Sequence, residues 1–269
     1  MKIIIPMAGL GSRFQKEADK NPEYKKPKPF ILIKGKPMIQ WALESLPFAD
    51  LPHRPAQTEM KVYPKDFIFV CRRDHDEEFQ VGNKLKEIFT DAITVVFIDK
   101  ITLGAAETVL AAKKYINSDE DIIVSDSDHY FDGEFLYQKI VSKDKETQGI
   151  IPVFRPPDSD LKWSFSLVEK DDVITAVGEK DKELAAKGAL ANIGGYYFSH
   201  GSVYVKEVEE AIRENDLTGD EGKKEFYVAP MYSRLIKKGM KIVAAITPKV
   251  WGLGTPKDLE YFEREEVLF

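Results

Sequence analysis

Cysteine is almost missing from this chain. Cys71 stands alone among 269 residues, which excludes an intrachain disulfide and any multi-cysteine metal site. Histidine is scarce as well, at four residues, and no Ser-His-Asp arrangement is evident. No apolar run approaches the ~20 residues needed to span a bilayer. An excess of positive charge is also lacking. The net charge of −6 argues against non-specific nucleic-acid binding, which needs a basic field. The first residues read as a strand running straight into a glycine turn, not as a leader, so a cytoplasmic protein is expected. What remains, 43% hydrophobic and 31% charged residues, describes an ordinary globular protein long enough for one large α/β domain.

The most informative stretch is Lys2 to Pro37. Ile3, Ile4 and Ile5 form a short β-branched run suited to a strand buried on both faces. Pro6 ends it, and Gly9, Gly11 and Arg13 follow. Glycines let the backbone turn tightly, and its exposed N–H groups form an anion-binding nest. Arg13 adds a cationic fork suited to phosphate oxygens. The turn lacks the third glycine of a dinucleotide fingerprint, since Phe14 stands there, and lacks the G-K-[ST] of a P-loop. Further on, Lys25, Lys26 and Lys28 sit among prolines that hold the chain extended. A mildly acidic protein that binds a polyanion must gather positive charge locally. Residues 13–28 do so, and the combination suggests a triphosphate site.

Downstream, strand and helix alternate. Lys36–Leu46 predicts a helix with a broad apolar face, and 47–65 a surface excursion. Phe67–Cys71 predicts a strand in which Cys71 is core, with Asp74 as N-cap of the helix that follows. Strands are expected at Ile93–Ile98 and Asp121–Ser125, with an alanine-rich helix over 101–115 between them. Asp126 and Asp128 then fall at the carboxyl end of a strand, where open α/β sheets place ligands. Hard oxygen donors there suit Mg²⁺. From residue 149 the alternation breaks. Gly149–Phe154 predicts a strand, and Phe165–Glu169 and Val173–Glu179 a hairpin turning at Lys170–Asp172. Residues 192–198 predict a further strand. Helices are expected at Val203–Glu214 and Phe226–Lys238, a strand at Lys241–Thr247, and a last helix capped by Thr255 with Pro256 in its first turn.

The segments IPMAGLGSRF and KPKPFILIKGKPMIQW closely resemble the signature of the sugar-phosphate nucleotidyltransferases, also called nucleotide-sugar pyrophosphorylases. Val177-Gly-Glu179-Lys180 resembles that family's V-x-E-K-P element, with Asp181 in place of the proline. Asn192-Ile-Gly194-Gly195-Tyr-Tyr-Phe resembles its acceptor-side strand, and Trp251-Gly-Leu-Gly-Thr-Pro its C-terminal closure. The resemblance implies a Rossmann-like α/β fold: a mixed, mostly parallel central sheet flanked by helices, of the glycosyltransferase-A-like kind, with an inserted antiparallel acceptor-binding lobe. It implies a single domain, 1–269, with a nucleotide-binding half at 1–148 and an acceptor half with closure at 149–269. Nucleotide contacts would come from Met7, Ala8, Gly9, Gly11, Ser12, Arg13, Lys28, Gly104, Ala105 and Ala106. Arg13, Lys28 and Asp128 would be catalytic, and Glu179, Lys180, Asn192 and Gly194 would hold the acceptor. Asp128 would be the main Mg²⁺ ligand, with Asp126 secondary.

The implied reaction moves a nucleoside monophosphate from a nucleoside triphosphate to a phosphorylated small acceptor, a sugar 1-phosphate first among them, and releases pyrophosphate. It serves activated-precursor synthesis for surface polysaccharide and involves neither nucleic acid nor membrane. The base, the acceptor (choline phosphate among the alternatives) and a homo-oligomeric state stay open. Two departures matter. Pro230 stands where many relatives carry a second metal-binding aspartate, and Gly252 and Leu253 supply no carboxylate in the closure. Asp126, Asp220 and Glu225 are the alternatives for a second ligand. The D-x-D also resembles the metal motif of glycosyltransferases built on this sheet, and the missing carboxylates suit a non-catalytic nucleotide-sugar-binding paralogue. Both alternatives stand beside the favoured reading.

Overall fold

A computed structural model describes residues 1–156, 161–219 and 222–265. Ten strands form one sheet: β1 Lys2–Pro6, β2 Phe67–Arg72, β3 Thr94–Ile98, β4 Ile122–Ser125, β5 Thr147–Phe154, β6 Ser164–Val168, β7 Ile174–Glu179, β8 Leu190–Asn192, β9 Gly195–Phe198 and β10 Lys241–Ile246. Their order is β7-β6-β8-β5-β9-β4-β1-β2-β3, with β10 joined to β5 off this path. The β4-β1-β2-β3 block is parallel throughout. The strands expected as an acceptor lobe continue the same sheet through antiparallel pairs, and only β10 joins them in parallel.

The apolar run of β1 is buried on both faces, as its composition implies. Ile3 and Ile5 point into one core with Phe67, Phe69 and Phe89, while Ile4 points into the other with Ile68, Val109 and Tyr232. Side chains alternate along a strand, so one strand with three isoleucines serves two layers. Each full burial contributes roughly 1.5–3 kcal/mol. Helices Met38–Glu44 and Val81–Phe89 cover the first face, and Gly201–Arg213 and Ala229–Lys237 the second. Cys71 is 1% exposed, in the core as expected. A third core ties the N-terminal loop to the closure, with Phe14, Trp41, Tyr130, Trp251 and Phe262 at its centre.

Several boundaries differ from expectation for physical reasons. Asp74 is not an N-cap: the helix Arg73–Phe79 starts after Arg72 without a side-chain cap, and Asp74 pairs with the Arg72 guanidinium instead. The early helix starts at Met38, because Lys36–Pro37 pairs with Leu32–Ile33 in a two-residue ribbon. The Phe226 helix begins at Ala229, since the Phe226 backbone bonds to the 103–106 segment instead. The final helix behaves as expected, with Thr255 Oγ1 accepting from the Asp258 N–H at 3.1 Å. Among the described residues, no helix is long and apolar enough to cross a membrane.

Candidate active site

Two strand ends of the parallel block build the floor of the site. After β1, the N–H of Met7 still bonds to Val70 O at 2.7 Å, and then the chain leaves the sheet. Met7 and Ala8 stay buried, whereas Gly9 has open space on its Cβ side. Gly11 takes φ +65°, the left-handed region that glycine enters without cost. That turn starts the short helix Ser12–Gln15, which leaves Ser12 and Arg13 exposed and Phe14 in the third core. Lys28 packs beneath the turn, its Cβ 3.5 Å from where a Gly11 Cβ would be.

After β4 come the carboxylates. Lys28 Nζ donates to Asp128 Oδ2 at 2.8 Å. Of the three lysines in the proline-held segment, Lys28 makes this contact, while Lys26 pairs with Glu23. Burial works to raise the Asp128 pKa, but Lys28, His129 and Arg13 hold it below the ordinary carboxylate value. Asp126 is driven the other way. Burial and the Asp128 charge push it up to about 7 against the pull of Lys28. One floor therefore carries a committed carboxylate and a reluctant one.

Glycines make the room. Between β8 and β9 the chain breaks from the ladder at Ile193–Gly194, and the Asp126 N–H donates to Gly194 O at 2.7 Å. A Cβ on Gly194 would lie 2.1 Å from Asp126 Oδ2. The segment between β8 and β9 thus meets the floor through backbone contact. From the C-terminal closure, the Leu253 N–H donates to Asp128 O at 2.8 Å. A Cβ on Gly254 would lie 2.9 Å from Asp128 Oδ2 and 3.9 Å from Arg13 Nη1. Gly254 is a site residue that motif reading passed over. The G-T-P closure was recognised, but its approach to Asp128 is tertiary.

The residues expected on the acceptor side lie along the neighbouring strands. Glu179 ends β7, accepts from Ser164 Oγ, and is close enough to Asp126 to raise its pKa further. Lys180 has φ +51°, donates its N–H to Trp163 O at 3.0 Å, and places Nζ 5.9 Å from the centre of the Tyr227 ring. Asn192 is buried; its Oδ1 accepts from Ser166 Oγ at 2.7 Å, and its Nδ2 has no hydrogen-bond partner among the described residues.

Gly104, Ala105 and Ala106 have a different explanation close at hand. A Cβ on Gly104 would lie 2.5 Å from Phe226 O, and the Ala106 N–H donates to that same oxygen at 2.9 Å. Ala106 is fully buried in the second core. The close approach of the Phe226 segment thus accounts for the glycine at 104, and Gly104 and Ala105 are both half-buried and keep surface to offer.

A divalent cation fits the donor set. Ligand atoms of Asp126, Asp128 and His129 lie within 4.8 Å of one another. His129 directly follows Asp128 in the chain. It is buried, with Nε2 lacking a hydrogen-bond partner among the described residues, and burial lowers its pKa to about 4. Glu225, one alternative for a second ligand, pairs with Lys223 at 3.1 Å and is not part of this cluster. Asp220, the other, lies outside the described residues.

No protein-family model and no curated protein matches the sequence. Solved structures do. The nucleoside-diphosphate-sugar pyrophosphorylase from Vibrio cholerae RC9 superposes with a TM-score of 0.70 at 25% identity, covering 98% of this chain and 100% of its own. The inositol-1-phosphate CTP transferase from T. maritima gives 0.67 at 16% identity, over 100% and 98% of the two chains. A Bacillus anthracis protein described as a glucose-1-phosphate thymidylyltransferase gives 0.69 at 16%, over 100% and 97%. The last two speak to the fold. The fold shared across the full length, and the glycine turn, lysine segment and strand-end aspartates gathered at one place, support the resemblance of the chain to the sugar-phosphate nucleotidyltransferase family.

Proposed function

We propose that the chain transfers a nucleoside monophosphate from a nucleoside triphosphate to a phosphorylated small acceptor, foremost a sugar 1-phosphate, and releases pyrophosphate. The observation that carries this reading is the convergence on Asp128 of Lys28 from the N-terminal segment and Gly254 from the closure. The glycine turn and Arg13 receive the triphosphate, and Lys28 stands at its inner end. Glu179, Lys180, Asn192 and Gly194 form the acceptor side, so residues 1–148 serve the nucleotide and 149–269 the acceptor. Product of this kind supplies activated precursors for surface polysaccharide.

The acceptor phosphate has a second pKa near ~6, so it is already mostly an anionic nucleophile at neutral pH. No general base is needed. The site has to bring two polyanions together and hold them in line. Arg13 and Lys28 offset charge on the triphosphate, and Lys180 offsets charge on the acceptor phosphate. Asp128 and Asp126 would hold Mg²⁺, which when bound supplies further charge neutralisation on the phosphates.

The test is pyrophosphate release across a panel of triphosphates and phosphorylated acceptors, with choline phosphate included. Release that needs both substrates is expected. A glycosyltransferase or a binding protein would release none. Asp128→Asn should abolish turnover at millimolar Mg²⁺, and Asp126→Asn should leave a measurable fraction. The opposite ranking would overturn the assignment of Asp128 as principal ligand.

A further inference from the structure

We propose that His129 is the third protein ligand of the cation site and gives it a preference for a first-row transition ion, Mn²⁺ or Co²⁺, over Mg²⁺. This rests on the reading of the site as a cation site, and extends it to which cation binds.

His129 is 5% exposed, and its Nε2 is buried without a hydrogen-bond partner among the described residues. An unsatisfied buried polar atom costs roughly 1–3 kcal/mol, so the position calls for a partner. Separately, carboxylate oxygens of Asp126 and Asp128 and one His129 ring nitrogen all lie within 4.8 Å of one another, so a cation shared by the three would give the imidazole a partner. Ligands at about 2.1 Å from one ion are ~3.0 Å apart when adjacent and ~4.2 Å when opposite, so the three donors need to close by at most about 2 Å. The ring is well placed for that. His129 is paired with Gly252 across a short antiparallel ribbon, and its ring packs 5.3 Å from the centre of Phe131.

The donor type then sets the preference. Carboxylate oxygens alone suit Mg²⁺, which keeps several waters and gains little from nitrogen. Imidazole favours first-row transition ions, with affinity rising from Mn²⁺ to Co²⁺ along the usual order. Two carboxylates and one imidazole therefore make a mixed site in which His129 contributes selectivity and the aspartates contribute charge.

The experiment uses the full chain without nucleotide, so its outcome does not depend on turnover. Mn²⁺, Co²⁺ and Mg²⁺ are titrated separately, and the Mn²⁺ form is examined by electron spin-echo spectroscopy for coupling to a directly bound ¹⁴N. Wild type should bind Mn²⁺ at least about tenfold more tightly than Mg²⁺, a difference of about 1.4 kcal/mol, and should show the ¹⁴N coupling. His129→Gln should lose the coupling and most of that ratio. Because that variant alters a buried position, a second one replaces His53, His75 and His200 together, and it must keep the coupling. Absence of ¹⁴N coupling in wild type, its loss in the triple variant, or equal Mn²⁺ and Mg²⁺ affinities would overturn the proposal. A failed pyrophosphate assay with the coupling intact would overturn the proposed reaction and leave the His129 assignment standing.

Discussion

Lys28 and Asp128, one hundred residues apart in the chain, are joined by a 2.8 Å hydrogen bond from Nζ to Oδ2. The ammonium thus lies against the carboxylate on which a cation would have to bind. Both side chains are about a quarter exposed, so the pair itself adds little to stability. Its consequence is competition. A cation reaching Asp128 has to displace Lys28, and the anion that would receive the freed ammonium is the triphosphate proposed for the glycine turn. Lys28→Ala should therefore act in two directions. Titration with divalent cation should show tighter binding, by about tenfold, because a competing and repelling charge is gone. Turnover should fall by ~10²-fold or more, the scale seen on removing a donor aimed at developing charge. Weaker cation binding in this variant would show that Lys28 supports the site instead of competing for it.

Gly254 should be intolerant of even one methyl group. Its Cβ would lie 2.9 Å from Asp128 Oδ2, closer than such contacts normally come. The backbone there is not in the left-handed region, so alanine adds no strain of its own. The carboxylate would have to turn away. Gly254→Ala should weaken divalent-cation binding by about tenfold, with the melting midpoint moving by less than about 3 °C. Unchanged cation affinity would mean that Asp128 binds from its other oxygen.

Local chemistry was legible in the sequence where a single segment carried it. The three isoleucines, the glycine turn, the hairpin after residue 164 and the Thr255 cap each follow from side chains within a few positions of one another. The strand-end placement of Asp126 and Asp128 followed too. What was hidden depended on contacts between distant segments. The glycine at 104 reads like a ligand-binding element, and its close packing against the Phe226 backbone is visible only in the fold. Gly194 and Gly254 read as strand and closure residues, and nothing local reveals that each faces a different aspartate. His129 had a signal of its own, a lone histidine beside two carboxylates, but only its burial and unpartnered Nε2 separate it from a solvated neighbour.

Lys180 should govern the acceptor and leave the nucleotide untouched. It directly follows β7, which lies at one edge of the sheet and six places from β1 in the strand order, and it is held by a backbone bond to Trp163 O. Its positive φ of 51° belongs to the backbone, and alanine is no worse there than lysine. Lys180→Ala should raise the acceptor KM strongly, while the nucleotide Kd measured without acceptor stays constant. Equal weakening of both ligands would reverse the division of the chain into nucleotide and acceptor halves.

The acid side of the stability curve should be sensitive to Glu44, which lies away from the carboxylate floor. Its side chain is only 7% exposed and takes Lys36 Nζ at 2.8 Å, His53 Nε2 at 2.8 Å and Gln40 Nε2 at 3.0 Å. Burial alone would raise its pKa, but the bonds from Lys36, Gln40 and His53 and the Lys36 charge outweigh it, and the pKa is lowered from 4.5. A group whose folded pKa lies below its unfolded one binds fewer protons in the folded state. Its contribution is fully present above the unfolded value and is lost as pH falls through the folded one. Hydrogen bonds to a charged group contribute roughly 1.5–3 kcal/mol. Glu44→Gln should therefore lower the melting temperature at neutral pH. The gap between wild type and variant should narrow steadily as the pH is taken from 6 to about 3. Melting curves of both proteins across that range decide the matter. A gap that stayed constant would mean that Glu44 acts through packing and not through its charge.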